Sequence, residues 1–367
     1  MADMERVAKA IRAFENGEMV VVTDDDDREN EGDLIVAATK ITPEQMGFII
    51  RHSSGIVCAP MTGESARRLN LNPMVAHNDA PLSTAFTVSV DYKHGTTTGI
   101  SAEERCITVH GLANGNAVSS DFVRPGHIFP LIAKEGGVLV RSGHTEAAVD
   151  LCNLAGLPPV GVISELVNDD GTVKKGPDII SFAQEHGITH VSVADLIAYR
   201  QRIERLVEQI EDFPIDTRHG PARAVTFKAK FDDMEHVALI FGDIRDGKDI
   251  PVRIHQENVL ADIFGTSGTL DKISEKFAAD RGVLVYLRDG SPCVATGSMR
   301  PRDGLELAQN EEHSSAKGRD SDWRDIGLGA QILKDLGIFS IRLLSSRERH
   351  YVGLDGFGLE ITGTDII

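Results

Sequence analysis

The 367-residue chain predicts an α/β (α+β) protein of two unlike domains. Three observations carry that expectation. Apolar runs of strand length alternate with amphipathic helical stretches through the first half, which is the pattern of a mixed sheet covered by helices. The texture changes after residue 210, where RAVTFKAKF and HVALIFG read as antiparallel strands, GVLVYLR as a buried strand and FSIRLLSS as another. Between them DWRDIGLGAQILKDLGI has the period of a helix.

Taken in order, MERVAKAIRAFENG reads as a short amphipathic helix with Val7, Ile11 and Phe14 on one face, ending at Gly17. MVVVT and DLIVAA are strands around an acidic loop. TPEQMGFIIRHSS opens with Thr42 as cap, Pro43 at the first helical position and Gln45 three residues on, a capping box. GIVCAP is a buried strand, and TAFTVSVDY alternates as a half-buried one does. Ser101 and Glu104 mark a second capping box. GGVLV reads as a strand, TEAAVDLCNLAG as a helix closed by Gly156, and PPVGVISELVN as a further strand. SVADLIAYRQRIERLVEQI closes this half, and IEDFPIDTRHGPAR reads as a proline-broken linker. The expected domains are 1–207 and 208–367. SMRPRDGLELAQNEEHSSAKGRDSD is polar and weakly patterned, so it reads as a mobile loop.

Composition narrows the function classes. A formal charge of −18 disfavours non-specific binding to nucleic acid or anionic lipid. No window approaches the ~18 consecutive apolar residues of a membrane span, and the N-terminus carries no signal-peptide pattern. The four cysteines, at 58, 106, 152 and 293, form no C-x-x-C pair, so a cytoplasmic enzyme is the easier reading than a disulfide framework. No nucleic-acid or membrane partner is expected.

Four places could carry chemistry. Seven of the ten residues from Asp24 to Asp33 are acidic. Two carboxylates about 4 Å apart repel by roughly 4 kcal/mol at an effective dielectric of about 20, so the run is solvated, protonated or bound to a cation. An extended RENEGD would place Glu29, Glu31 and Asp33 on one face, where oxygen ligands suit magnesium or manganese better than zinc. Asp24–Asp27 reads as a solvated approach that orders with cation and substrate. Arg141-Ser142-Gly143-His144-Thr145 falls between a strand and a helix; backbone N–H groups there and Arg141 can hold a phosphate, although His144 can equally be a buried structural histidine and Thr145 only a cap. His127 lies in FVRPGHIFPL, a loop stiffened by two prolines, as a proton-transfer group or a plain turn histidine. Glu165, inside an otherwise apolar strand, needs a partner or a raised pKa. Cys58 reads as a small core residue.

Together DDDDRENEGDL, RHSSGIVCAP, RPGHIFPL, RSGHTEAAVDL and VISELVNDDG resemble the 3,4-dihydroxy-2-butanone 4-phosphate synthase family. The resemblance implies conversion of D-ribulose 5-phosphate to the four-carbon phosphate and formate, a carbon–carbon lyase step of riboflavin synthesis. It implies Mg2+ or Mn2+, with one or two ions per site, held by Glu29 and His144. Arg28, Glu29, Asp33, Glu165 and the turn Arg141, Ser142, Gly143, His144, Thr145 are implied as substrate contacts. His127 and Glu165 are implied as catalytic, and a homodimer with active sites near the subunit interface is implied. VRIHQENVLADIFG, GVLVYLR and DWRDIGLGAQILKDLGI resemble GTP cyclohydrolase II, a family in which three cysteines hold zinc. Here QENVLADIFGTSGTLDK has none, Cys293 lies in another segment, DGSPCVATGS replaces the glycine- and arginine-rich segment, and only Arg324 keeps its place. The expectation is a cyclohydrolase-like domain without zinc or GTP hydrolysis. The alternatives are retention of both activities, a nucleotide-binding or regulatory module, and a metal-dependent phosphatase.

Overall fold

A computed structural model describes residues 4–25, 28–231, 234–264, 268–288, 327–345 and 359–366. They form two compact units, Ala2–Tyr199 and Arg200–Ile367. Each is built on a seven-stranded sheet.

The first unit contains β1 (Val20–Thr23), β2 (Gly32–Ala37), β3 (Cys58–Met61), β4 (Val90–Tyr92), β5 (Phe122–Ile132), β6 (Gly161–Glu165) and β7 (Thr189–Ser192). The sheet order is β4-β5-β3-β6-β2-β1-β7. Its helices are α1 (Met4–Glu15), α2 (Pro43–His52), α3 (Gly63–Arg68), α4 (Ala102–Ala113), α5 (His144–Leu154), α6 (Pro177–Glu185) and α7 (Val193–Ile203). Val20, Val22, Ile35 and Ile163 pack with Phe14 of α1, Leu151 of α5 and Leu196 of α7. The alternate residues Val21, Leu34, Val36 and Val162 pack with Met46 of α2, Leu112 of α4 and Phe182 of α6. Both faces are buried, which is why the strands read as unbroken apolar runs.

Five local expectations are corrected. GGVLV is not a strand: Gly136 and Gly137 have φ of 92° and 62°, and residues 137–139 form a 3-10 turn, a left-handed start that a strand does not accommodate. Within TAFTVSVDY only Val90–Tyr92 is strand. FVRPGHIFPL is not a loop but most of β5. The box at Ser101 is half made. Ser101 Oγ accepts from Glu104 N at 3.2 Å, while the Glu104 carboxylate turns to Thr97 and to Gly99 N.

The fifth lies in the second unit, whose strands are β8 (Val207–Thr217), β9 (Gly220–Ala229), β10 (Glu235–Phe241), β11 (Ile250–Gln256), β12 (Gly282–Leu287), β13 (Ser340–Ser345) and β14 (Glu360–Ile366), with α8 at Thr269–Ala279. The expected linker IEDFPIDTRHGPAR is a hairpin joining β8 and β9. Pro214 is tolerated because β8 ends the sheet order, and an edge strand needs no second ladder of donors. The antiparallel reading of RAVTFKAKF and HVALIFG holds, and residues 327–335 are helical. The polar stretch 298–322 lies outside the described residues.

The capping box at α2 is complete. Thr42 Oγ1 accepts from Gln45 N at 3.3 Å, Gln45 Oε1 accepts from Thr42 N at 2.9 Å, and Gln45 Nε2 donates to Gly17 O at 2.7 Å. Thr42→Ala is expected to lower stability by about 1 kcal/mol in urea unfolding. A change below a few tenths would show that the cap contributes nothing.

Candidate active site

The β1–β2 hairpin brings the acidic run to one end of the first sheet. Asp24, expected to be solvated, is instead buried and organises the turn. Its Oδ1 accepts from Glu31 N at 2.9 Å and its Oδ2 from Glu29 N at 3.1 Å. Arg28 Nη1 donates to Asp24 Oδ2 at 2.7 Å and to Glu29 Oε2 at 2.8 Å. The turn is not extended. Asn30 has a φ of 55°, which asparagine tolerates better than most residues, so strict alternation starts only at Gly32. Asp26 and Asp27 lie outside the described residues.

Asp33 is on β2, opposite Val22 on one side and Glu165 on the other. Its Oδ1 is buried without a hydrogen-bond partner among the described residues. Burial, reinforced by Glu165, Glu29 and Asp24 against the pull of His144, pushes its carboxyl up to about 7. Glu31 is raised as well, first by burial and then by Glu29.

The turn Arg141–Thr145 meets this loop from the other side, because α5 packs on the face of the sheet that carries Ile35 and Ile163. His144 begins α5 and is buried. Its Nδ1 lies 3.7 Å from both Glu29 Oε2 and Asp33 Oδ1, and its Nε2 has no hydrogen-bond partner among the described residues. Ser142 and Thr145 are buried beside it. Arg141 is anchored by Glu146 at 2.6 Å, by Leu82 O at 3.3 Å and by Thr84 Oγ1 at 3.2 Å. A Cβ at Gly143 would sit 2.5 Å from Arg141 Nη1 and 3.1 Å from Arg28 Nη2. Glu146 Oε2 lies 3.0 Å from the same point, so the Arg141–Glu146 ion pair fills a position that only glycine admits, and both guanidinium groups reach the start of α5. Helix first-turn donors lack intrahelical partners, so the turn suits an anion.

β3 pairs with both β5 and β6 at Cys58, opposite Phe129 and Ile163. Two residues along each strand toward the acidic loop come His127 and Glu165. Glu165 and Asp33 are direct partners across β6 and β2 and leave the same face, and His127 lies at the same end, where the register of β5 against β4 is irregular. Glu165 is corrected in one respect: it terminates β6 and is exposed, with Ser54 Oγ donating to it at 3.0 Å. A strand end, unlike a strand interior, lets a carboxylate reach water. His127 is half-exposed, and Asp91 accepts from its backbone N at 2.8 Å while Asp91 Oδ2 lies 2.7 Å from its Nδ1. A proton on Nδ1 leaves Nε2 as the basic nitrogen. Cys58 is buried, and burial pushes its thiol well up, as suits a core residue.

Sequence reasoning missed Asp24, Asp91 and Glu146 as parts of this arrangement. Asp91 carries no local signal, because its partner is 36 residues away.

Among the described residues, one group of His, Cys, Asp and Glu is spaced to hold a metal ion: Asp24, Glu29 and His144, with ligand atoms within 4.8 Å of one another. Carboxylate oxygens with one imidazole, beside an unpartnered buried histidine nitrogen, fit a hard divalent cation. The second unit differs. Asp262 is closed in by His255 Nε2 at 2.9 Å, Tyr286 Oη at 2.8 Å and Asn258 N at 2.9 Å. Burial holds His255 below its usual range and Tyr286 above it. Asp271 pairs with His219 and Arg218. These side chains satisfy one another and offer no thiolate, so the described part of QENVLADIFGTSGTLDK does not fit a cysteine-held zinc. Cys293, DGSPCVATGS and Arg324 lie outside the described residues.

Comparison with known proteins agrees with this division. Residues 8–199 match the family model of 3,4-dihydroxy-2-butanone 4-phosphate synthase, and residues 208–365 match that of GTP cyclohydrolase II. The chain is 48% identical over 363 residues to the monofunctional riboflavin biosynthesis protein RIBA 2, chloroplastic, of Arabidopsis thaliana, covering 97% of this chain and 76% of that protein. It is 45% identical over 374 residues to the riboflavin biosynthesis protein RibBA of Nocardia farcinica, covering 99% and 90%. Among solved structures, RibBX, a two-domain 3,4-dihydroxy-2-butanone 4-phosphate synthase from A. baumannii, superposes with a TM-score of 0.81 at 36% identity, covering 99% of this chain and all of that one. A synthase solved with two magnesium ions superposes with a TM-score of 0.52 at 48% identity, covering 54% of this chain and 97% of its own. The metal-suited acidic hairpin, the anion turn of α5 and these similarities lead to one conclusion: the chain belongs to the 3,4-dihydroxy-2-butanone 4-phosphate synthase family, in a form that carries a second, GTP cyclohydrolase II-like domain.

Proposed function

We propose that the chain converts D-ribulose 5-phosphate to L-3,4-dihydroxy-2-butanone 4-phosphate and formate in riboflavin biosynthesis, using magnesium or manganese. The observation that carries this reading is the meeting, at the start of α5, of an ion-suited trio and a helix N-terminus that two arginines approach beside the Glu146 carboxylate. A sugar phosphate needs both. The cytoplasmic homodimer implied by the family belongs to the same proposal.

Asp24, Glu29 and His144 would hold the ion. When bound, it supplies positive charge for the oxyanions that develop as the ketose is enolised. Arg28, Arg141 and the first-turn N–H groups of α5 bind the phosphate, and Glu146 keeps Arg141 aimed at it. His127 Nε2, with Asp91 behind the ring, and Glu165 move protons at the sugar carbons. Asp33, opposite Glu165 in the sheet, contacts the sugar.

A second reading, that the chain also opens the ring of GTP, is favoured by the family match over residues 208–365. Against it stand the internally paired Asp262 and Asp271. The A. baumannii relative is described as a two-domain synthase, and the Arabidopsis one as monofunctional. We infer that the second domain does not hydrolyse GTP.

Three outcomes are expected. Glu29→Gln or His144→Ala abolishes metal-dependent formate release from ribulose 5-phosphate while circular dichroism stays unchanged; normal turnover in either would sink the metal assignment. The purified protein, given GTP with zinc, releases no formate, and stoichiometric zinc with GTP turnover would overturn the monofunctional reading. The third concerns pH. The folded pKa of Asp33, about 7, lies above its ordinary 3.8, so the metal-free fold binds a proton that the unfolded chain releases. That contribution to stability is complete below 3.8 and is lost as pH rises to about 7. Asp33→Asn should therefore gain thermal stability relative to the parent across this window when both are metal-free. Parallel melting curves from pH 4 to pH 8 would refute it.

A further inference from the structure

We propose that Arg28 is a built-in counter-cation of the metal site, which the substrate's phosphate draws away, so that ion and sugar phosphate bind cooperatively. This rests on the reading that Asp24, Glu29 and His144 hold the ion and that the α5 turn holds the phosphate.

The Arg28 guanidinium bridges the two carboxylates of the ion-suited trio. Nη1 donates to Asp24 Oδ2 at 2.7 Å and to Glu29 Oε2 at 2.8 Å, and this same Glu29 oxygen faces His144 Nδ1 at 3.7 Å. Its side chain is 10% exposed, so water screens little of its charge. A divalent ion at the trio would meet a positive group on two of its three ligands, and like charges in a poorly screened site repel strongly. Ion and guanidinium thus compete for the same two carboxylates.

The other end of the guanidinium reaches the start of α5, with Nη2 3.1 Å from the Cβ that Gly143 lacks, a point that Arg141 Nη1 approaches at 2.5 Å and Glu146 Oε2 at 3.0 Å. A small movement of one side chain exchanges carboxylate partners for phosphate oxygens, which accept from arginine in the same forked geometry. The other cations nearby do not share this position. Arg141 is anchored on Glu146, Leu82 and Thr84, none of them in the trio. Lys175 Nζ reaches the backbone oxygen of Glu29 at 3.3 Å, not its carboxylate. Linkage then requires that phosphate raise ion affinity by the same factor by which the ion raises phosphate affinity.

The test titrates Mn2+ into the full-length protein and follows free Mn2+ by electron paramagnetic resonance, with and without inorganic phosphate. In the parent, phosphate should tighten Mn2+ binding, by about 5- to 150-fold if the coupling is of ordinary size. Arg28→Met should bind Mn2+ tighter than the parent without phosphate, and phosphate should add little. Binding by Arg28→Met that is equal to or weaker than the parent's, with a native melting curve, overturns the inference. If that variant does not fold, the parent decides alone, and Mn2+ affinity indifferent to phosphate overturns it. Glu29→Gln separates the two readings. Mn2+ binding that Glu29→Gln abolishes but Arg28→Met leaves unchanged defeats only this inference. Binding that survives Glu29→Gln defeats the site assignment as well.

Discussion

The carboxylate of Asp24 gathers two backbone N–H groups and the Arg28 guanidinium into one buried cluster, and the acidic hairpin depends on that cluster. Without it, Glu29, Glu31 and Asp33 would repel one another across a few ångströms of poorly screened space. With it, the turn closes at Asn30, Glu29 faces His144, and the strand pairing between β1 and β2 begins immediately afterwards. The negative charge that remains is concentrated on one side, toward the start of α5. It is incompletely neutralised by the chain itself, as the raised pKa of Asp33 and its unpartnered oxygen record.

The sheet supplies the rest of the geometry. The pairings of β3 with β5 and β6, and of β6 with β2, bring His127, Glu165 and Asp33 out at one end, the last two on one face. α5 covers that face with its apolar side and delivers His144 and the Gly143 space to the same end. Arg28 and the carboxylates thus come from one hairpin, His144 and Arg141 come from the start of α5, and both pieces are carried by apolar core. Both side chains are held in place, Arg141 by three acceptors and His127 by Asp91.

The second unit shows the opposite economy of polar groups. His255, Asp262 and Tyr286 bond to one another, and Asp271 is held by Arg218 and His219. Where the first unit leaves buried donors and acceptors facing a shared space, these side chains consume each other's capacity. The sheet beneath them is intact, with parallel pairing of β11 to β12 and β13. Fold stability resides in the apolar strands, and chemistry resides in the polar ends.

What the sequence by itself determined is local. Apolar runs set most of the strands, Thr42, Pro43 and Gln45 set the start of α2, and RENEGD and RSGHT displayed the carboxylates, histidine and arginine of a candidate site. These features act through neighbours a few positions away, so the string of residues displays them. Tertiary structure decided the rest. It buried Asp24, which the run of four aspartates disguised as solvent-facing, and it placed Asp91 behind His127 across 36 residues. It moved Glu165 to a strand end and turned the proline-bearing 210–223 stretch into an edge hairpin. Each of these depends on sheet order and register, which arise from pairing between distant segments. No local pattern encodes which strand will lie beside which, and the function of a side chain here follows from that neighbour.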